Sequence, residues 1–272
     1  EVSLVENGPL RAVIRIRRNF EGSKLCQYIC LYSHTARIDF KTELEWYEHE
    51  TLVKVWFPID IQCESVTYDV QFGNIERSNY NNTSWDAAKF EVPAHKWADV
   101  SEPDYGVALL NDCKYGYGVK ESNMSLTLLK SGIFPNENAD IGRHKFTYSL
   151  FPHKGDFRIG HVIREGYILN SEIYIRPVAG MEAVKYSFAA SDSENVVIET
   201  VRYTENVDSI ILRMYECHGS RCSANIHFGK PWNIYESNMT EEKMRILKQS
   251  GKDIEMVFYP YEIKTILLER AE

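Results

Sequence analysis

Hydrophobic and polar residues alternate with a period of two along most of this chain. Ile38, Phe40, Thr42, Leu44 and Trp46 fall on one side of an extended backbone, and Asp39, Lys41, Glu43 and Glu45 on the other, as in a strand buried on one face. The pattern recurs at Val66, Tyr68, Val70 and Phe72, at Phe146, Tyr148 and Leu150, at Ile210, Leu212 and Met214, and at Ile254, Met256 and Phe258, with β-branched and aromatic residues enriched. Asn7-Gly8-Pro9, Glu21-Gly22-Ser23, Asn136 to Asn138 and Ser250-Gly251-Lys252 supply turn chemistry between the runs. Many strands at short spacing predict an all-β chain built from sandwiches.

One stretch departs from the alternation. From Asp156 to Asn170, Phe157, Ile159, Val162, Ile163, Tyr167 and Ile168 approximate helical spacing, interrupted by Gly160 and Gly166. Arg176-Pro177-Val178-Ala179-Gly180 then breaks the pattern, and a second series of strands runs to the end. The expected organisation is a large antiparallel β-sandwich domain over residues 1–176 followed by a smaller β-sandwich over 177–272. No internal repeat, heptad or low-complexity tract interrupts it.

Composition narrows the picture. The chain has 272 residues, 44% of them hydrophobic, which is ample for a packed core. A net charge of -8 with interspersed signs leaves no basic footprint for nucleic acid or an anionic membrane, so neither is expected as a partner. No apolar run approaches the roughly 20 residues of a membrane span. The opening Glu-Val-Ser is read as part of a longer protein. Six irregularly spaced cysteines suit neither a disulfide framework nor a structural zinc site, and point to a reducing cytoplasm. Cys26 and Cys30 share one strand face, so no disulfide is expected between them. Four Asn-X-Ser/Thr triplets, from Asn81, Asn82, Asn123 and Asn238, carry little weight because so short a pattern arises by chance.

Chemistry-capable residues crowd into Asn82 to Tyr117. Trp85 and Trp97 stand among Asp86, Glu91, Asp99, Glu102, Asp104 and Asp112, and a sugar site needs aromatic faces beside carboxylates. The run Asn111-Asp112-Cys113-Lys114-Tyr115 follows the apolar strand Gly106 to Leu110 and reads either as a turn or as a binding rim. Cys113 has no specified base to activate it. Eight scattered histidines form no helical metal motif; Cys217-His218 with Cys222 comes nearest, and reads as ordinary β structure. Neither a phosphate-binding loop nor a nucleophile-elbow serine occurs.

Several segments together carry a family resemblance: Val70 to Arg77, Asn82-Thr83-Ser84-Trp85-Asp86, Ala94 to Glu102, Ala108 to Gly116, His144 to Tyr148, Phe151-Pro152-His153-Lys154-Gly155, Glu216 to Ser220 and Pro260 to Thr265. They resemble, in order and over almost the whole chain, the C-terminal half of a glycoside hydrolase family 38 α-mannosidase of the cytosolic, broad-specificity branch. That resemblance implies a metal-dependent retaining exo-mannosidase in which an aspartate nucleophile, an acid/base carboxylate and a divalent ion, zinc or cobalt, lie in an N-terminal β/α domain. No alternating βα pattern exists in this chain, so the resemblance implies no catalytic residue, metal ligand or cofactor here. The implied partners are that N-terminal catalytic domain and a mannose-containing oligosaccharide, in a homo-oligomeric parent.

Trp85, His95, Trp97, Asp99, Asn111, Asp112, Lys114, Tyr115 and Lys130 are then expected to line a substrate rim or a domain interface. Lys130 stands where relatives commonly carry an arginine that approaches the sugar, replacing a bidentate contact by a single-point one. Two alternatives remain open at this point. One is an autonomous carbohydrate-binding module with Trp85, Trp97 and Tyr115 as a stacking platform, the other a domain that assembles subunits. The interface reading predicts an apolar patch around those three rings.

Overall fold

The computed structural model describes residues 1–120, 123–180, 184–205 and 208–271. Two compact units are present, Glu1–Val70 with Ile75–Ile173, and Gln71–Asn74 with Tyr174–Glu272. In chain order the strands up to Lys154 are β1 (Val2–Asn7), β2 (Arg11–Phe20), β3 (Ser23–Tyr32), β4 (Thr35–Trp46), β5 (Thr51–Pro58), β6 (Ser65–Val70), β7 (Gly73–Ser78), β8 (Val92–Pro93), β9 (Trp97–Ser101), β10 (Tyr105–Asn111), β11 (Gly116–Lys120), β12 (Asn123–Ser131) and β13 (Gly142–Lys154). A single-turn helix, α1 (Ser84–Ala87), precedes β8, and α2 (Val162–Asn170) follows β13.

A nine-stranded sheet, ordered β1-β2-β3-β4-β13-β10-β9-β6-β7, faces a four-stranded sheet ordered β5-β12-β11-β8. The reported pairings are antiparallel, as the all-β reading requires. The alternating residues meet between the sheets. Tyr68, Val107, Leu109, Phe146 and Tyr148 from the larger pack on Tyr117, Met124 and Leu126 from the smaller. Phe40 of β4 stacks on Tyr148 with ring centroids 5.0 Å apart and meets Phe57 of β5 at 5.4 Å, so β4 lies over β5. Each such side chain contributes about 1.5–3 kcal/mol by leaving water.

Part of the outer face of the nine-stranded sheet, over β9 and β10, is also covered, by Gly155–Asn170. Phe157 stacks on Trp97 at 5.4 Å, and Val162 and Ile163 are buried. β10 is buried on both faces from Gly106 to Asn111, which explains its unbroken apolar run. The helix begins later than the spacing predicts. Gly155 and His161 have left-handed backbones, at φ 62° and 53°, and Asp156 Oδ1 accepts from the Arg158 and Ile159 N–H groups, so residues 155–161 form turns ahead of α2.

Asp39 corrects the simple alternation. Period two places it in water with Lys41 and Glu43, yet it is only 2% exposed. It accepts from Tyr32 Oη at 2.9 Å, Arg37 Nε at 2.8 Å and Ser149 Oγ at 2.7 Å. Arg37 reaches on to Glu165 of α2 at 3.0 Å, so the segment that buries Asp39 also supplies a counter-charge to its partner.

The second unit contains β14 (Ala189–Ser191), β15 (Val196–Tyr203), β16 (Ile210–Glu216), β17 (Cys222–Ser237), β18 (Lys243–Phe258) and β19 (Ile263–Arg270). Its sheet runs β14-β17-β19-β16-β15, with β18 paired to β17. Leu212, Met214, Ile226, Ile234, Phe258 and Ile266 form its core. Two expectations change here. Ser250-Gly251 is no hairpin turn but an irregularity inside β18, where Ser250 takes φ 44° and the register with β17 shifts. Phe72 does not extend β6; it sits in a turn at φ 54° and meets the Tyr215 ring edge-on at 5.6 Å. All six cysteines are free.

Breaking the Asp39 network is expected to be costly in a way its surface-like sequence position would not suggest. Asp39→Ala should lower the free energy of unfolding by about 3 kcal/mol or more, because it strands Arg37 and two hydroxyls. Ser149→Ala should lower it by about 1 kcal/mol. Urea denaturation of the two variants tests this, and a loss for Asp39→Ala within surface-mutation scatter would contradict it.

Candidate functional site

The structure separates the residues expected at a common rim. Trp97, Asp99 and Asn111 are buried, Trp97 at 1% exposure, whereas Trp85 and Tyr115 are 81% and 61% exposed. Trp97 therefore presents no face to a ligand; its ring lies against Phe157 beneath α2. Trp85 rides on α1, which Thr83 caps by accepting from the Asp86 N–H at 3.1 Å. The three-ring platform, and the apolar patch it would form, are thus not assembled as expected. Lys130 stands exposed near the end of β12, its backbone N–H donating to Asp140 Oδ2 at 2.9 Å.

The Asn111–Tyr115 run is a turn whose polar groups are committed to the backbone. Asn111 Nδ2 donates to the His95 carbonyl at 2.9 Å and contacts the Tyr117 hydroxyl, while its Oδ1 accepts from the N–H groups of Cys113 and Lys114. Asp112 Oδ2 accepts from the Thr147 N–H at 2.8 Å. What remains on this ledge is His95 edge-on to Tyr115 at 5.7 Å, with the Lys114 ammonium 4.4 Å over the Phe146 ring. Burial first, and then the Asp112 carboxylate, push the Cys113 thiol up to about 11, so it is no nucleophile at neutral pH.

Asp99 and His153 form the most unusual electrostatic feature. They face outward on β9 and β13, on either side of β10, and are sealed beneath the turns before α2, with His153 Nε2 2.7 Å from Asp99 Oδ1. Room for the imidazole comes from two glycines. A Cβ at Gly106 would lie 2.3 Å from His153 Cε1, and one at Gly160 would lie 2.2 Å from Nδ1. Burial pushes the Asp99 carboxyl up more than His153 pulls it down. Burial alone would lower the His153 pKa, but the hydrogen bond and charge of Asp99 outweigh it and the net shift is upward. Asp99 Oδ2 has no hydrogen-bond partner among the described residues and borders a small pocket of about 260 Å³ that also includes Thr67, Ser101 and Asp156.

Among the described residues, no group of three or more His, Cys, Asp or Glu side chains is arranged to hold a metal ion. Around Cys217-His218 the organising group is Glu216, fully buried, whose carboxylate accepts from the N–H groups of His218 and Gly219 at 2.9 Å, Tyr261 at 3.0 Å and Ser220 at 3.2 Å. It is a turn holder, and the residues present do not fit a divalent ion. Sequence reasoning missed a cleft between β7 and β8, floored by Tyr68 and Tyr117. The only signal for it was the pair of aromatics, Tyr80 and Phe90, flanking the polar stretch around Trp85.

Residues 1–138 match the profile of the glycosyl hydrolases family 38 C-terminal domain, and residues 195–266 that of the family's C-terminal beta sandwich domain. The chain is 38% identical over 96% of its length to alpha-mannosidase G of Dictyostelium discoideum, and 37% identical over 91% to alpha-mannosidase 2C1 of Mus musculus. It spans about a quarter of these relatives, 25% and 24% of their lengths. A solved alpha-mannosidase from Enterococcus faecalis V583 shares the fold, with a TM-score of 0.81 at 14% identity over 99% of this chain and 35% of that one.

Two outcomes are expected at the Asp99–His153 pair. The His153 pKa is raised on folding, so the stability its protonation contributes is present below the unfolded His value and lost as pH rises through the folded one. The free energy of unfolding should therefore fall as pH rises above the ordinary His value of about 6.5, and His153→Gln should flatten that slope. Gly106→Ala and Gly160→Ala should each cost about 2 kcal/mol by displacing the imidazole. Urea melts across the pH range read both effects, and a His153→Gln slope equal to that of the parent would refute the first.

Proposed function

Because this chain belongs to glycoside hydrolase family 38 and carries its C-terminal β domains, we propose that it is the non-catalytic part of an α-mannosidase that removes terminal α-mannose from oligosaccharides with retention. It docks on the catalytic part of the same polypeptide through the core-side face of β1 to β3. The observation that carries this reading is the mismatch between the two sheets. The four-stranded sheet ends at β5, beneath β4, so the rows Leu4–Ile14–Ile29 and Val2–Ile16 continue the core-side face of the larger sheet beyond the edge of the smaller one. Val2 is 70% and Leu4 62% exposed, and Leu31 joins them at the edge. A contiguous apolar face spanning three strands marks an interface. The relatives' remaining three quarters of length provide a body to cover it.

The carboxylates support the division of labour. Retention requires two carboxyl groups about 5 Å apart across one bond. Here Asp99 holds His153, Asp112 holds the Thr147 N–H, and Asp156 holds its own turn. The nucleophile, the acid/base group and the divalent ion, zinc or cobalt, belong to the catalytic part in this reading. A cytoplasmic location accords with six free cysteines, and no described helix is long and apolar enough to cross a membrane. His95, Lys114 and Tyr115 are the ledge residues free to face a substrate from this side.

Two measurements test the proposal. The 272-residue chain should release no product from an aryl α-mannoside with zinc or cobalt supplied. Turnover abolished both by a chelator and by Asp99→Asn would place a complete site in this chain. Separately, Leu4→Glu and Leu31→Glu should change the stability of the chain by no more than about 0.5 kcal/mol, as expected at exposed positions, yet lower the Tm and activity of the full-length enzyme. Unaltered full-length enzyme would defeat the docking assignment; an enzyme that dissociates into active subunits would assign the face to assembly instead.

A further inference from the structure

On the opposite side of the first sandwich both sheets end in open edges, β7 in the larger and β8 in the smaller. The connection through residues 79–91 passes between them and leaves a cleft of about 530 Å³, within the range of small-molecule sites. Its floor is apolar and rigid. Tyr68 and Tyr117 are buried there and meet edge-on with centroids 6.4 Å apart. Its mouth carries two exposed rings, Tyr80 and Phe90, amid amide and charged side chains.

The charges in this cleft largely answer one another. Lys89 pairs with Asp86 at 3.3 Å, and Glu91 pairs with Lys54 and the Thr127 hydroxyl. The Arg77 guanidinium donates to the Pro93 carbonyl at 3.0 Å and lies 4.9 Å over the Tyr68 ring. Lys120 lies 5.5 Å from the Phe90 ring. A phosphate or carboxylate ligand would have to break these pairs. A ligand with an apolar face and a neutral hydroxyl rim disturbs nothing. It lays its C–H surface on the rings while its hydroxyls meet the Asp86 and Glu91 oxygens and the Asn81 amide.

We propose that the cleft between the β7 and β8 edges is a binding site for a neutral oligosaccharide, held between the Tyr80 and Phe90 rings and the polar rim, and separate from the His95–Tyr115 ledge. The saccharide class follows from the cleft alone; the choice of mannosides rests on the α-mannosidase reading. Binding would hold an oligosaccharide on this domain independently of the bond being hydrolysed.

The experiment is saturation-transfer difference NMR on the 272-residue chain with α1,2-mannobiose and α1,6-mannobiose, with cellobiose and maltose as comparison probes, and with inorganic pyrophosphate followed by its phosphorus-31 line width and by displacement of the mannobiose signal. Mannobiose should bind with a roughly millimolar Kd. Phe90→Ala and Tyr80→Ala should each weaken it about tenfold through loss of a ring face, and Tyr115→Ala and Lys114→Ala should leave it unchanged. Both Phe90 and Tyr80 are exposed, so these variants keep the fold. Equal binding of cellobiose and maltose would uphold the saccharide site and remove only the mannose preference inherited from the family reading. Absence of any saccharide signal, tighter binding of pyrophosphate, or binding abolished by Tyr115→Ala but not by Phe90→Ala would overturn the proposal.

Discussion

The first unit depends on a single packing event, the laying of Gly155–Asn170 across the outer face of the nine-stranded sheet. A sandwich strand ordinarily turns one face to water, but here β10 and β9, with the ends of β4 and β13 around Asp39, Ser149 and His153, are covered on both sides. Polar residues on the second face therefore have to find partners indoors. Asp39 gathers Tyr32, Arg37 and Ser149; Asp99 gathers His153; Asn111 organises a turn and receives Asn170 Nδ2 at its carbonyl, at 3.1 Å. The glycines at 106 and 160 belong to the same event, since the imidazole fits only where both neighbours lack a Cβ.

The buried carboxylates differ in how fully they are matched. Glu216 receives four backbone N–H groups and Asp39 three side-chain donors, which offsets the several kcal/mol that desolvating an ion costs. Asp99 has one strong partner and one oxygen without a hydrogen bond, and burial pushes its carboxyl upward, as it does that of Asp69. The same strand carries the Trp97 indole N–H, also buried and without a partner among the described residues. The cover over β9 is thus apolar and tight around Trp97 but incompletely matched in polarity, so its strength comes from ring stacking and shape.

The sandwich is also unbalanced in width, and its two ends answer that differently. At β1 to β3 the larger sheet overhangs the smaller and exposes a core-like apolar surface, which suits a broad, permanent cover. At β7 and β8 both sheets stop together, and the mouth between them is rimmed by rings and compensated charges, which suits a small polar guest. In the proposed reading one end meets a protein surface and the other a ligand, and the core from Tyr68 to Phe40 separates them.

Strand identity was legible along the chain because the period-two pattern is a local property, written in neighbours that a single extended backbone sorts onto two faces. It correctly marked β4, β13, β16 and β18, while turn residues marked Asn7-Gly8-Pro9 and the apolar run Gly106 to Leu110 marked β10 as a strand. The family was legible too, from short motifs in order. What local pattern could not state is what lies against the second face. Asp39 and Asp99 look like solvent-facing carboxylates, and Trp97 like a partner of Trp85, until a segment far along the chain, Gly155–Asn170, closes over them. The cleft has the same origin, since its floor and rim come from β6, β7, the 79–91 connection and β11. The sequence by itself determined which residues are extended and which turn. Only the tertiary structure decided which polar groups are indoors, because burial is set by contacts between segments and no periodicity within a segment encodes them.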